Sequence, residues 1–378
     1  MSASAIELPW PHTDPPALTP GPEQSELRAA IRGLLAKHSG IEQVRAVAST
    51  ELGYSPQLWK TLVDEMSVTT LAVPEGRGGL GYGMVEMGIV LEECGRALAC
   101  EPVYTSAVLG VHALLSADPI QDADLLAGVL DGSLLATVSA LSATTDHVRA
   151  ESTPTGWLLH GTATHLMSGG SADVAVVSAQ CPDGRRLFAT QPGASLVRTE
   201  RRVLDPTRRR ADLTFDRCPA IALTDVDAAE ATGARLGELA TLALACENTG
   251  IVDRLLEMTV EYVQTRHQFG RPIGSFQAVK HRLADLLVTL ERARSASRYA
   301  AAIYAQDPGS ASLAVAVAGA VCTDAAVHAA AEAIQLHGGV GFTWEHSTHS
   351  YFRRAMGNEA LQGDSRAHRA RIATLIGI

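Results

Sequence analysis

From Ile221 to Arg271 the chain contains no proline, and apolar residues recur at helical spacing through Leu236 to Arg266. A run of about 30 residues is longer than an ordinary globular helix. It breaks at Phe269-Gly270-Arg271-Pro272-Ile273-Gly274, and helical spacing then resumes over Phe276 to Gln306 and over Ser312 to Leu336. Three long helices on short connections bury their apolar stripes most readily against one another. This predicts an antiparallel C-terminal helical bundle over residues 227–378.

The rest of the chain has two other textures. After a Pro-rich arm (1–22), residues 23–130 read as a helical domain, with Leu27, Ile31, Leu34 and Leu35 at helical spacing and further periodic runs over Met84 to Leu98 and Ala107 to Leu115. Residues 131–226 change to short runs punctuated by Gly, Asp, Pro and Thr: Leu134 to Val138, Gly156 to His160, Val174 to Ala179, Leu187 to Thr190 and Ala211 to Phe215. Such runs predict a middle β-barrel or β-sandwich domain. The fold class is therefore α+β, with helices, then strands, then helices.

Composition narrows the function. A net charge of −10 argues against nucleic acid, whose phosphates need a surplus of Lys and Arg. The cluster Arg208-Arg209-Arg210 reads as a solvated turn. Six dispersed cysteines, with no CxxC pair and no His/Cys ligand spacing, indicate reduced thiols and no metal site. The N-terminus lacks the pattern of a signal peptide, and no apolar run of about 18 residues stands out as a membrane span. The expected location is the cytoplasm.

Two short stretches carry the chemistry. Arg266 ends the long helix, where it can complement the helix dipole, and Pro272 can serve as a plain stop. The same corner can also grip a diphosphate. Arginine offers a planar fork of donors, Phe269 a flat face, and Gly270 close backbone approach. The second stretch is Gln335-Leu336-His337-Gly338-Gly339-Val340-Gly341-Phe342. Its glycines are most simply a helix C-cap, and no Gly-Lys-Ser/Thr follows to make it a P-loop.

Together these stretches resemble the acyl-CoA dehydrogenase family. RHQFGRPI at 266–273 matches that family's Arg-x-x-Phe-Gly corner, and Gln277 follows at the family's spacing. QLHGGVGF at 335–342 matches its Gln-x-x-Gly-Gly-x-Gly-Phe/Tyr, and VPEGRGGLGYG at 73–83 is similar to its Gly-rich turn. The resemblance spans residues 23–378 and implies that the C-terminal bundle is a four-helix bundle. It implies FAD-dependent α,β-dehydrogenation of an acyl-CoA thioester, an electron acceptor such as electron-transfer flavoprotein, and an oligomer. It also implies that Arg266, Phe269, Gln277, Gln335, Gly338 and Gly339 hold the tail of a FAD whose ring lies in a neighbouring subunit.

The sequence departs from the family at the chemistry itself. The family's catalytic Glu precedes Gly-Thr near the C-terminus; here Gln362 stands there, followed by Gly363 and Asp364. An amide cannot accept a proton near neutral pH. The alternative base position, 26 residues before Arg266, is Ala240. Glu247 lies seven residues further along, about 10 Å up the same helix face. It reads either as a relocated base with a raised pKa or, more simply, as a carboxylate paired with Arg or His inside the bundle. Glu359 is a weaker candidate. In the β region Ser142 alone could replace the family's first flavin-cradling Thr. His165 stands at the aromatic wall and Met167 at a flavin-contacting hydroxyl.

The losses sort by place. Residues serving a neighbour's FAD tail are kept, and those serving the chain's own flavin ring are altered. This favours a subunit of a heterotetrameric acyl-CoA dehydrogenase that completes a catalytic partner's FAD site, resembling those of actinobacteria, including ones that degrade steroids. The alternatives are a self-sufficient dehydrogenase using Glu247 and a non-redox scaffold on the same fold.

Overall fold

A computed structural model describes residues 18–117, 123–139, 147–191, 193 and 195–378. The first region is helical: α1 (Pro22–His38), α2 (Ile41–Ala48), α3 (Pro56–Met66), α4 (Met84–Ala97), α5 (Val111–Leu115) and α6 (Ala123–Leu130). Ser55 caps α3 by accepting from the Leu58 amide at 3.3 Å, and Pro56 sits at the first helical position, where its missing N–H costs nothing. A buried π-helical turn, Val103–Gly110, runs straight into α5, so the single helix expected there is two.

Among the described residues seven strands follow: β1 (Ala136–Val138), β2 (His147–Thr153), β3 (Gly156–Met167), β4 (Val174–Cys181), β5 (Gly184–Thr190), β6 (Leu196–Arg201) and β7 (Arg210–Ala222). The pairing order β1-β4-β2-β3-β7-β5 closes on itself because β5 also pairs with β4, which makes a barrel; β6 adds to β7. The barrel interior is a separate apolar cluster that includes Val148, Leu159, Val177, Phe188, Leu213 and Phe215. A register shift between Ala163 and Leu166 on β3 marks a bulge, where His165 takes φ 60°.

The C-terminal region comprises α7 (Val226–Thr265), α8 (Gln277–Gln306), α9 (Ser312–His337), α10 (Thr348–Gln362) and α11 (Ser365–Leu375). Between α7 and α8 lie β8 (His267–Gln268) and β9 (Arg271–Pro272), paired antiparallel. Helix α7 runs 40 residues and carries the core that joins the two helical regions. It meets α4 backbone to backbone. A Cβ on Gly250 would stand 1.8 Å from the Glu92 carbonyl, and one on Gly95 would stand 2.1 Å from that of Glu247. Segment Ser312–Phe342 is long and apolar enough to cross a membrane by composition, contrary to the sequence expectation. However, 72% of its apolar window is buried, because α7, α8, α10 and α11 pack around α9.

Candidate functional site

Helix α7 ends at Thr265, and Arg266 turns extended with φ −77° and ψ 119°. Phe269 (φ 53°) and Gly270 (φ 78°) form the two-residue tip of the hairpin between β8 and β9. Two successive positive φ values are the mark of a type I′ turn. Gly270 adopts this freely, whereas an aromatic residue there is strained. The turn holds the Phe269 ring 90% exposed, edge-on to Phe276 at 6.1 Å, while the Arg271 guanidinium lies 4.1 Å over the Phe276 ring. Helix α8 starts at Gln277 with no side-chain cap and no acid in its first turn. The Val279 and Lys280 amides donate to the Phe276 carbonyl at 3.1 Å, which leaves those of Gln277 and Ala278 to meet an anion.

The glycine stretch lies at the same end of the bundle. Tyr262, one turn before the corner, stacks on His337 with ring centres 4.3 Å apart and donates to the His337 carbonyl at 3.3 Å. Gly338 caps α9 with φ 63°, and a Cβ on Gly338 or Gly339 would meet no atom within 4 Å. Their backbone is open to a ligand. Arg266, Phe269, Gln277, Gln335, Gly338 and Gly339 are all exposed. Among the described residues Arg266 and Arg271 face no acid.

The opposite situation holds between barrel and bundle. Arg354 of α10 is fully buried. Its Nε donates to Asp205 at 2.7 Å and its Nη1 to Glu247 at 2.9 Å, while Nη2 donates to the Ala99 carbonyl at 3.1 Å and to Thr207 at 2.5 Å. Arg208 pairs with the other Glu247 oxygen and lies 5.5 Å from the centre of the Tyr104 ring. Asn358 donates to Glu247 at 3.2 Å. Gln362 hydrogen-bonds Tyr104, whose hydroxyl burial pushes up to about 12. A small cleft beside this centre is lined by Glu101, Tyr104, Met167 and Arg208.

Several expectations change here. Arg208 is not solvated; its side chain is 11% exposed and paired with Glu247. Burial alone pushes the Glu247 carboxyl up, but Arg208 and Arg354 outweigh it and hold the pKa below the usual carboxylate value. This direction is opposite to what a relocated base requires, and the pairing foreseen for a Glu inside the bundle is the arrangement found. Asp364 caps α11 by accepting from the Ala367 amide at 2.8 Å. Ala240 is buried in α7, Met167 is buried and His165 is exposed. Glu359 is half-buried, and Ser142 lies outside the described residues. Sequence reasoning missed Arg354, Asp205 and Asn358. The one local hint is that Arg354 and Asn358 stand one helical turn apart, on one face of α10.

Helices, closed barrel, then a long-helix bundle with an anion-ready corner describe an oxidoreductase of the flavin-dependent CH–CH class. Residues 21–126 match the profile described as "Acyl-CoA dehydrogenase, N-terminal domain" and residues 238–376 that described as "Acyl-CoA dehydrogenase, C-terminal domain". The acyl-CoA dehydrogenase IpdE2 of Mycobacterium tuberculosis is 37% identical over 350 residues, covering 91% of this chain and 94% of that one. The chain therefore belongs to the acyl-CoA dehydrogenase family of FAD-dependent oxidoreductases. Among solved structures it is similar to the ChsE4–ChsE5 complex from Mycobacterium tuberculosis, with 29% identity, TM-score 0.86 and coverage of 96% and 99%. The Tcur3481–Tcur3483 steroid ACAD variant matches with 29% identity, TM-score 0.85 and the same coverage.

Proposed function

We propose that this chain is the non-catalytic subunit of a heteromeric, cytoplasmic acyl-CoA dehydrogenase and completes the FAD site of a catalytic partner. The observation that carries this reading is the missing base. Gln362, an amide, stands at the family's base position, and the buried Glu247 carboxylate is paired with Arg208 and Arg354. The exposed corner, by contrast, suits the cofactor's tail. Arg266 and the uncapped start of α8 take the diphosphate, Phe269 offers its face, Gln277 and Gln335 offer amides, and Gly338 and Gly339 admit the tail against the backbone. Bound there, FAD would supply the hydride acceptor for the substrate's β-carbon. The carboxylate that takes the α-proton comes from the partner, because Gln362 cannot accept it. The ChsE4–ChsE5 complex, a two-chain structure similar to this one, supports a paired assembly. The steroid named for the other structure makes steroid-derived acyl-CoA thioesters the first substrates to test, with electron-transfer flavoprotein as acceptor.

The test is purification of the chain alone and co-expressed with candidate catalytic acyl-CoA dehydrogenase chains that carry the Glu this one lacks. The expected results are a colourless protein alone and one FAD per pair of chains in the complex. A yellow, active homotetramer of this chain overturns the proposal. In the complex, Glu247→Gln is expected to leave turnover in place; loss of turnover with FAD retained would make Glu247 the base.

A further inference from the structure

Leu287 and Val288, side by side on α8, are 50% and 59% exposed. Val288, Arg292, Ser295 and Tyr299 recur at helical spacing on one face, and with Val321 of α9 they line an open, mostly apolar groove. Among the described residues one position outside α8 and α9 lines it, and that is Leu18, the first residue described. Leu18 also lines a second groove, together with Pro20, against Arg298, Ala301 and Ala302 further along α8. Of the two grooves Pro20 lines only the second, whereas Leu18 lines both. Traced back from α1, the chain therefore runs along α8 from Ala302 toward Val288, and at Leu18 it heads into the apolar groove.

Residues 1–17 lie outside the described residues, and their sequence suits that groove. Ile6, Leu8 and Trp10 alternate with Glu7 and Pro9, and Leu8 and Trp10 each precede a proline, which biases them to extended backbone. In an extended segment such an alternation sets the apolar side chains on one side. The reach is sufficient, because Leu18 back to Trp10 spans about 25 Å of extended chain, against about 17 Å along the helix from Tyr299 to Val288. Asp14 comes about 12 Å from Leu18, and Arg292 about 10 Å from Tyr299. Among the described residues Arg292 pairs with no acid. The prolines limit the freedom that docking has to remove. We infer that the N-terminal arm of this chain packs along α8, with Leu8 and Trp10 on Leu287 and Val288 and Asp14 beside Arg292. The inference does not rest on the two-subunit reading and applies to the chain with or without a catalytic partner. It makes the arm the cover of a face whose apolar stripe would otherwise attract other molecules.

The experiment uses the full chain, with Trp10 emission taken as the difference between wild type and Trp10→Phe. In wild type Trp10 is expected to emit in the blue, and acrylamide should quench it about threefold less than in Val288→Asp. Leu287→Asp should free Trp10 likewise, and Arg292→Glu in part. All three side chains are exposed in the described structure, so cooperative melting should be kept. A chain lacking residues 1–16 should bind the apolar dye ANS more strongly than wild type, and Val288→Asp in that chain should remove the gain. Equal quenching of Trp10 in wild type and Val288→Asp overturns the inference. Shielding of Trp10 that disappears on dilution overturns it in favour of an arm exchanged with a second copy. Equal ANS binding with and without the arm overturns it too, because the stripe is then covered by something else.

Discussion

The centre around Arg354 and the corner around Arg266 use similar residues to opposite ends. At the centre, arginine, aromatic and acid face inward. Arg354 is fully buried, with donors directed to Asp205, Thr207, Glu247 and two backbone carbonyls, and Tyr104 lies beside Arg208. At the corner, Arg266 and Phe269 face outward, and among the described residues no acid pairs with Arg266. Polar groups satisfied internally hold the fold in one arrangement, whereas polar groups left open have binding capacity to offer. The centre spends its charged groups on the fold, and the corner leaves its own exposed.

The contrast can be broken by substitution. The largest effect is expected from Arg354→Ala, which strands Asp205 and Glu247 as buried anions. Stability should fall by about 3–5 kcal/mol in chemical denaturation. A loss under 1 kcal/mol would mean that the centre is not what holds barrel and bundle together. Acid should act on the same centre. The folded pKa of Glu247 lies below the ordinary carboxylate value of about 4.5, so the stability it contributes is fully present above about pH 4.5 and is lost as pH falls through the folded pKa. Glu247→Gln should flatten that acid limb of the stability–pH curve, and an unchanged slope would place the titrating groups elsewhere.

The corner should behave the other way. Arg266→Ala should cost about 1.5–3 kcal/mol in FAD retention by the assembled complex, measured by equilibrium dialysis, while the melting of the isolated chain stays put. The smallest effect is that of Phe269→Ala on the chain alone, within about 0.5 kcal/mol, because a ring 90% exposed holds nothing in place. Destabilisation by more than that would show that the hairpin supports the fold and is not only offered to a ligand.

What could be read from the sequence divides along the same line. The helix–strand–helix order was legible because α4, α7, α8, α9 and the inner strands carry strong apolar patterns. Strands β2 and β6 were not, since β6 is almost wholly exposed and β2 alternates buried Val148 and Ala150 with polar residues on an outer face. Helices α10 and α11 are polar and escaped notice for the same reason. The corner residues were visible because their spacing is local. The charged centre was not, because Arg208 and Arg354 lie 39 and 107 residues from Glu247. Nothing local separates Arg208 from Arg209, or the buried Arg354 from the half-buried Arg353. Only the folded packing of loop, barrel edge and α10 decides which guanidinium is taken inside.

The reciprocal glycines of α4 and α7 bear on how this molecule meets anything else. Where Gly250 lies against the Glu92 carbonyl and Gly95 against that of Glu247, no layer of side chains lies between the helices at those points to slide or repack. Shear between packed helices works through such a layer. The N-terminal helices and the bundle are therefore riveted into a single casting. A chain built this way would meet another molecule as a rigid face and not as a hinge that closes on it.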